Sequence, residues 1–573
     1  MPKDNLEKAL QRSVDNTYIN EIEHTEHLLK FLKLSPSQYA KIKNDALSLV
    51  KVLKLTKSKS TESFMHQYSL SNDEGIAIMC LAESLLRIPD KKTAQELVAD
   101  KLKSKDWNKH IGQSDSLFVN ASTWGLLLTG KIINLAESKF SFSKLVNKLG
   151  EPVILSSIKQ AIKMISEEFI MGHDIPSALK NGKSCMDKGF RLSFDILGES
   201  SRTQDQADYY YSEYLKAIKS FSTLKSSGDL YDQTNLSVKL SALHPKVLLK
   251  KSKRLHKELM PKLIELTKLA KEANITLSFD AEESYRQDIY LDLLSELILH
   301  KDFADYPGIG FVVQAYQKRS FYTIDYISEI AKASGKKIPV RLVKGAYWDT
   351  EIKHAQELGL KDYTVFTKKE HTDTSYLACA QKMLKYADCI YAQFATHNAH
   401  TIASIIEMAG IIKFEFQKLH GMGGAIHEEA IRRGKKCRIY APVGQYKELL
   451  AYLMRRLLEN GANTSFVNLA ANKDITNEEL IANPIEKTKR NLDVPSSIPQ
   501  PSDIYGISRK NSEGYEIGLK IDYDTLHKSV KKFSKTTHYA KSLLSNKKLK
   551  SNNESIEVIS PTAKNIIETY IKA

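Results

Sequence analysis

"IPVRLVKGAYWDTE", residues 338–351, begins as an apolar run and ends in a crowd of ionisable and aromatic groups around a glycine. A short, nearly continuous apolar run is how a strand covered on both faces reads, so the first half is such a strand. Arg341, Lys344, Tyr347, Trp348, Asp349 and Glu351 do not suit that core, and the strand must deliver them to a polar opening. Seven other stretches are built alike: "GFRLSFDILGE", "NLSVKLSALHP", "ITLSFDAEE", "GIGFVVQAYQKR", "IYAQFATHNAH", "FEFQKLHGMGG" and "CRIYAPVG". Amphipathic helical spacing separates them. Eight strand-plus-helix units between residues 190 and 445 predict an α/β fold of the (β/α)8 barrel type, by count and by size.

Each run finishes in polar groups: Asp195 and Glu199; Lys239 and His244; Asp280, Glu282 and Glu283; Gln314 and Lys318; Arg341 and Lys344; Thr396, His397 and Asn398; Gln417 and His420; Tyr440. In a barrel the C-terminal strand ends converge on one mouth, where active sites are built. Residues 338–351 are then the fifth strand arriving at that mouth.

Around the barrel, expected over 185–470, the pattern divides the chain further. Residues 1–66 read as a polar helical arm. Residues 67–184 read as an all-helical domain, with apolar positions three and four apart in "GIAIMCLAESLLRIP" and "TWGLLLTGKIINLAESKF". Prolines and serines between 494 and 507 mark a linker within 471–573. The chain carries 84 Lys+Arg against 68 Asp+Glu, a net +16. That excess is scattered and lysine-rich, which points to a solvated surface. The one concentrated basic block, "LHKSVKKFSKTTHYAKSLLSNKKLK", reads first as a tail and second as a patch for anionic membrane. Cys80, Cys185, Cys379, Cys389 and Cys437 form no CxxC and are odd in number, as suits reduced thiols. With no signal-peptide core and no spanning run of about 20 apolar residues, the expected location is cytoplasmic, with peripheral membrane contact at most.

No GxGxxG opens a strand-to-helix turn, and there is no P-loop, so a nucleotide in a glycine-rich turn is not expected. The mouth nevertheless carries what a flavin needs: Arg341, Lys344, Lys369 and the "KGA" backbone as pyrophosphate donors, and Trp348 as a stacking face. Trp348 reads equally as a core anchor beneath its loop. In "AYLMRRLLENGANTSF", Arg455 and Arg456 lie about 100° apart around a helix and suit a carboxylate clasp, or else a ladder with Glu459. Lys239, or Lys344, also suits a Schiff-base lysine of the aldolase type. Asp280 needs a partner if buried, and Lys239 on the neighbouring strand supplies one. The spacing of Asp280, His397 and His420 does not single out a metal site, and none is expected.

The motifs "SLSNDEGIAIMCLAESLLRIPDKKTA", "SVKLSALHP", "DAEESYRQDIYLDLLSEL", "RLVKGAYWDTEIKHAQ", "QFATHNAHT", "FQKLHGMG" and "CRIYAPVGQYKELLAYLMRRLLENGANTSFV" stand in one collinear order. Together, over about 65 to 510, they resemble the proline dehydrogenase half of the bacterial bifunctional proline utilization A family. The resemblance implies a distorted (β/α)8 barrel after an arm and a helical domain, with FAD at the mouth. It implies oxidation of L-proline to Δ1-pyrroline-5-carboxylate, the first step of proline catabolism, with electrons passed to a membrane quinone such as ubiquinone. Arg455, Arg456 and Lys239 would bind the proline carboxylate, and Tyr347, Tyr440 and Leu419 would pack on its ring. Asp280 would hold Lys239, and Glu199 would pair with Arg455 as a gate. The FAD positions would be Gln314, Arg341, Val343, Lys344, Gly345, Ala346, Trp348, Thr367, Lys369, Thr396, His397, Asn398, Gln417 and Glu459. The first 60 residues lack the strand-plus-two-helix pattern of the family's DNA-binding members, so no nucleic-acid partner is expected. The aldehyde dehydrogenase half is expected to be missing, with "EVISPTAKNIIETYIKA" resembling only its beginning.

Overall fold

The structure is a computed structural model that describes residues 2–55, 88, 90, 92–93, 169–224, 228–445, 452, 466–471 and 475–536. Eight strands, β1 (Phe190–Ile196), β2 (Asn235–Val238), β3 (Thr276–Phe279), β4 (Ile309–Gln314), β5 (Ile338–Val343), β6 (Ile390–Ala395), β7 (Glu415–Leu419) and β8 (Lys436–Val443), follow one another in sequence. They pair in that order, all parallel, and β8 returns to β1 to close the barrel. All eight are the stretches the sequence marked out, and 338–343 is the fifth strand.

Alternation decides which side chains face inward. In β1, Leu192, Phe194 and Ile196 join the apolar layer beneath the surrounding helices, while Ser193 and Asp195 take the other face. Arg341 of β5 hydrogen-bonds Ser193 of β1 and Ser237 of β2 at 3.2 and 2.9 Å. Neither strand neighbours β5, so the guanidinium crosses the barrel interior. That interior is polar in two layers, where the usual barrel fills it with branched aliphatics. At the base, Arg438 of β8 forms a buried pair with Glu415 of β7 at 2.8 Å. Nearer the mouth lie Asp195, Lys239, Asp280, Arg341 and Tyr440.

The arm is helical as expected: α1 (Pro2–Asp15), α2 (Glu21–Phe31) and α3 (Pro36–Leu55). Its α3 buries Ile42, Ala46, Leu49 and Val50 against the helices Ala399–Ala409 and Gly424–Arg432. The all-helical domain expected over 67–184 falls almost wholly outside the described residues.

The stretch read as a linker, with the residues on either side of it, lies as a strap against the barrel. The helix Pro484–Asn491 packs on Lys369–Lys385, and the Tyr363 hydroxyl donates to the Pro499 carbonyl at 2.6 Å. His354 pairs with Glu516 at 2.6 Å. Asp288 accepts from the Lys520 N–H at 2.7 Å, and Tyr18 of the arm donates to Asp522 at 2.9 Å. Proline and serine set the backbone shape here, but these hydrogen bonds between distant segments hold it in place, and no local composition announces them.

Candidate active site

Lys239 follows β2 at the mouth and is 5% exposed, so its ammonium survives only among anions. Asp195 of β1 is its nearest partner, and Asp280, after β3, lies 3.5 Å away. Asp280 in turn accepts from Arg341 Nη1 at 2.7 Å and from the Tyr440 hydroxyl at 2.7 Å. The Arg341 guanidinium also sits over the Tyr440 ring, 5.1 Å from its centroid. Burial works against the Lys239 charge, but Asp195, Tyr440 and Asp280 outweigh it and hold the ammonium well above its usual range. Burial and the adjacent Asp280 push the Asp195 carboxyl up. A Schiff-base lysine needs a neutral amine at working pH, so this environment speaks against aldolase chemistry at Lys239.

Asp195, a strand-end group assigned no role from sequence, is the closest counter-ion of Lys239, and Asp280 pairs with Lys239 at 3.5 Å as well as organising Arg341 and Tyr440. Arg341, expected among the pyrophosphate donors, has its two terminal nitrogens committed to Asp280, Ser193 and Ser237 inside the barrel. Its Nε is buried with no acceptor, so only the inner end of a ligand can use it.

Beyond β5 the chain turns at Gly345, whose φ of +142° and closeness to the Tyr316 ring both exclude a side chain: a Cβ there would lie 2.4 Å from the ring. Lys344 reaches Asp373, which also holds Lys369 at 2.8 Å. Burial pushes the Asp373 carboxyl up, but the two ammonium groups prevail and hold it at about 2. A folded-state value below the unfolded one contributes stability that is present above the unfolded pKa and lost as pH falls through the folded one. Asp373→Asn is therefore expected to cost about 2 kcal/mol at neutral pH and to flatten the loss of stability between about pH 4 and 2. Urea unfolding across that range checks it; an unchanged slope refutes it.

Trp348 opens the helix Trp348–Leu358. It packs on a cluster that includes Tyr316 and Ile352 and donates its indole N–H to the Phe366 carbonyl at 2.8 Å, which makes it the anchor of its loop. Tyr347, its half-buried neighbour, caps the same helix. Glu351, one turn on, is buried and accepts from the Ser284 N–H at 2.6 Å, fixing this helix to the end of β3.

The remaining expected residues also gather near the strand ends. Gln314 donates to the Glu282 carbonyl at 2.8 Å, and Gln417 donates to Glu415 at 2.8 Å while its Oε1 stays buried without a donor. Thr396 accepts from the Asn398 N–H, Asn398 caps the helix Ala399–Ala409, and His397 accepts from the Leu419 N–H at 3.4 Å. Leu419 and Tyr440 pack on Leu197, Met422 and Tyr452 as one apolar wall. Val343 is half-buried, Ala346 is exposed, and the half-buried Glu199 acts electrostatically on Glu282. Thr367 does not face this group alone: its N–H and hydroxyl bind Glu21 of the arm at 2.9 and 3.0 Å. Arg455, Arg456 and Glu459 lie outside the described residues.

These groups suit a flavin. The Arg341 Nε and the Gln417 Oε1 are buried and lack partners, a donor and an acceptor for the edge of a flat heterocycle. Lys344 and Lys369 bring cationic donors for a phosphate.

Comparison with known proteins agrees with this geometry. Residues 178–469 match the family model described as proline dehydrogenase. Residues 60–169 match one described as the DNA-binding domain of proline dehydrogenase, which runs against the expectation of no nucleic-acid partner; nearly all of those residues are outside the described part. The bifunctional protein PutA of Salmonella typhimurium is 43% identical over 542 residues, 89% of this chain and 41% of that protein. Its Escherichia coli counterpart is 46% identical over 477 residues, 80% of this chain and 36% of that protein. The chain thus spans about two fifths of the length of these bifunctional relatives. Bacillus subtilis proline dehydrogenase 1 is 25% identical over 308 residues, 53% of this chain and 89% of that protein. A crystal structure of a Bradyrhizobium japonicum proline utilization A mutant superposes with a TM-score of 0.72 at 38% identity, covering 90% of this chain and 53% of that one. With the matched model spanning half its residues and the closed eight-stranded barrel to carry it, the chain belongs to the proline dehydrogenase family.

Proposed function

We propose that this chain oxidises L-proline to Δ1-pyrroline-5-carboxylate at the barrel mouth, with FAD as its cofactor. The observation that carries the reading is the buried cluster of Lys239, Asp195, Asp280, Arg341 and Tyr440 at the C-terminal strand ends. FAD, when bound, supplies the two-electron acceptor that takes a hydride from C5 of proline.

The chain's own residues orient and desolvate the substrate. Lys239, kept charged by Asp195, presents a cation to the proline carboxylate, and Arg455 and Arg456 complete the clasp. Leu419, Tyr440 and Tyr347 wall the pyrrolidine ring so that C5 is fixed in one direction. The ring nitrogen, entering as a free amine, stabilises the developing iminium with its own lone pair, so no strong protein base is needed. Glu199 closes over the substrate by pairing with Arg455. For the cofactor, Gln314, Arg341, Gln417 and the backbone of 343–346 address the heterocycle, while Thr367, Lys369, Thr396, His397, Asn398 and Glu459 address the remainder, with Trp348 holding the loop. Electrons pass on to a membrane quinone at a peripheral inner-membrane contact, and the product goes to an aldehyde dehydrogenase. The similarity of the chain to bifunctional PutA proteins and to proline dehydrogenase 1 of Bacillus subtilis supports that placement.

The test is the absorption spectrum of the purified protein before and after anaerobic addition of L-proline. Flavin bands that bleach with L-proline and persist with D-proline are the expected result. A folded protein that shows no flavin bands and cannot be reconstituted with FAD overturns the reading.

A further inference from the structure

Glu21 opens α2 in the arm, far in sequence from the barrel mouth, yet its carboxylate ends at the turn that leads into the helix Lys369–Lys385. One oxygen accepts from the Thr367 N–H at 2.9 Å and the Thr367 hydroxyl at 3.0 Å. The other accepts from the Lys368 N–H at 3.3 Å and faces His371 Nδ1 at 2.7 Å. The first N–H groups of a helix have no partner within it, and a carboxylate there is doubly favoured, by hydrogen bonds and by the helix dipole. This carboxylate comes from another part of the chain, so it fixes where the turn sits as well as how it is capped.

What stands on that turn gives the contact its significance. Lys369 is the next residue, and Asp373, one helical turn on, holds both Lys369 and Lys344 of the β5 loop. From the opposite side the strap holds the same segment: Lys368 donates to the Asn491 carbonyl at 2.9 Å, and Thr374 meets Thr488 at 2.8 Å. The turn is thus clamped between arm and strap; on the arm's side His24 stacks on Phe366, and the hydrogen bonds to the turn itself come from the Glu21 carboxylate.

We propose that Glu21 is a positioning residue for the cofactor: by binding Thr367, Lys368 and His371 it sets the Thr367–Lys369 edge of the FAD site. The inference rests on the flavin reading of the mouth. It makes arm docking and flavin retention one property, while the charged part of the proline subsite, Lys239, Asp195, Asp280 and Tyr440, lies on other strands and makes no contact with Glu21.

The experiment uses the full chain stripped of flavin and titrated with FAD by flavin fluorescence, followed by steady-state oxidation of L-proline at saturating FAD. Glu21→Ala is expected to weaken FAD at least tenfold and to leave the KM for L-proline unchanged. Leu28→Ala removes a buried side chain from the same helix without touching Thr367, and is expected to lower thermal stability while FAD affinity stays within threefold of the parent. In Glu21→Gln one carbonyl oxygen still accepts from the Thr367 N–H, and an intermediate loss is expected; this variant decides the matter if the alanine variant does not fold. Unchanged FAD affinity in the glutamine and alanine variants, or an equal loss in Leu28→Ala, overturns the proposal. A parent protein that binds no FAD at all removes the flavin reading first and this inference with it, a result seen before any variant is made.

Discussion

Asp280→Asn is expected to lower kcat/KM for L-proline about a hundredfold, equivalent to about 2.7 kcal/mol of transition-state stabilisation. Among the described residues, the carboxylate alone touches Arg341, Tyr440 and Lys239 at once, at 2.7, 2.7 and 3.5 Å. An amide of the same shape can still accept one hydrogen bond but leaves two buried cations facing Asp195 alone. The Tyr440 ring, one wall of the substrate site, and the Arg341 guanidinium above it then lose their common anchor, and displacements of about 1 Å at a reacting centre cost on the order of a hundredfold. The same change is expected to destabilise the fold by about 3 kcal/mol, the lower end of the cost of breaking a buried pair. Stopped-flow reduction and urea unfolding separate the two effects. Wild-type turnover in a folded Asp280→Asn would show that Arg341 and Tyr440 are placed by other contacts.

Arg438→Ala, at the opposite end of the barrel, is expected to be the more damaging to stability, at about 3–5 kcal/mol. Arg438 and Glu415 are 1% and 0% exposed at the side chain. The guanidinium binds Glu415 through Nε at 2.8 Å and donates to the carbonyls of Leu192, Gln233 and Tyr231. Its removal strands a buried carboxylate with only Gln393, Gln417 and Tyr391 to solvate it, and also orphans the three carbonyls. Replacing both members of the pair by apolar residues of similar volume should recover much of the loss, because a buried pair is far costlier to break than to omit. Turnover per folded molecule should fall less than stability does, because Gln417, held by Glu415 at 2.8 Å, is the link from this layer to the proposed cofactor site. A loss below about 1 kcal/mol, the value of an ordinary surface pair, would mean that water reaches Glu415.

The contrast between these two layers shows what the sequence carried and what it did not. Eight strands were legible because alternation and apolar runs are local, and because each run ended in the same change from apolar to ionisable residues. Lys239, Asp280, Arg341 and Tyr440 were legible as strand ends, and the barrel brings all four together. Their partnerships were not, since whether Lys239 meets Asp195 or Asp280 depends on the stagger between strands and on rotamers, which no spacing encodes. "FRLSFD" in fact gave a signal for Asp195: it alternates with Leu192 and Phe194, so it had to face the barrel axis, where a lone carboxylate demands a cation. Trp348 was readable as a stacking face or an anchor, and its indole N–H is held by the Phe366 carbonyl, supplied from 18 positions away, a partner that no local pattern announces. The strap and Glu21 left no trace in composition, because both act through contacts across long separations.

Those separations also order events in the making of the protein. The Tyr18 hydroxyl meets Asp522 across 504 positions, so the arm helices wait for nearly the whole described chain before this contact exists. All eight strands emerge earlier and can close on one another while the arm is still unpaired with the strap. Contacts of such long separation are formed late and slowly. A nascent chain halted between β8 and Asp522 would therefore carry a closed barrel with its arm untethered at Asp522, and protease sensitivity confined to the arm in such stalled chains would mark the interval.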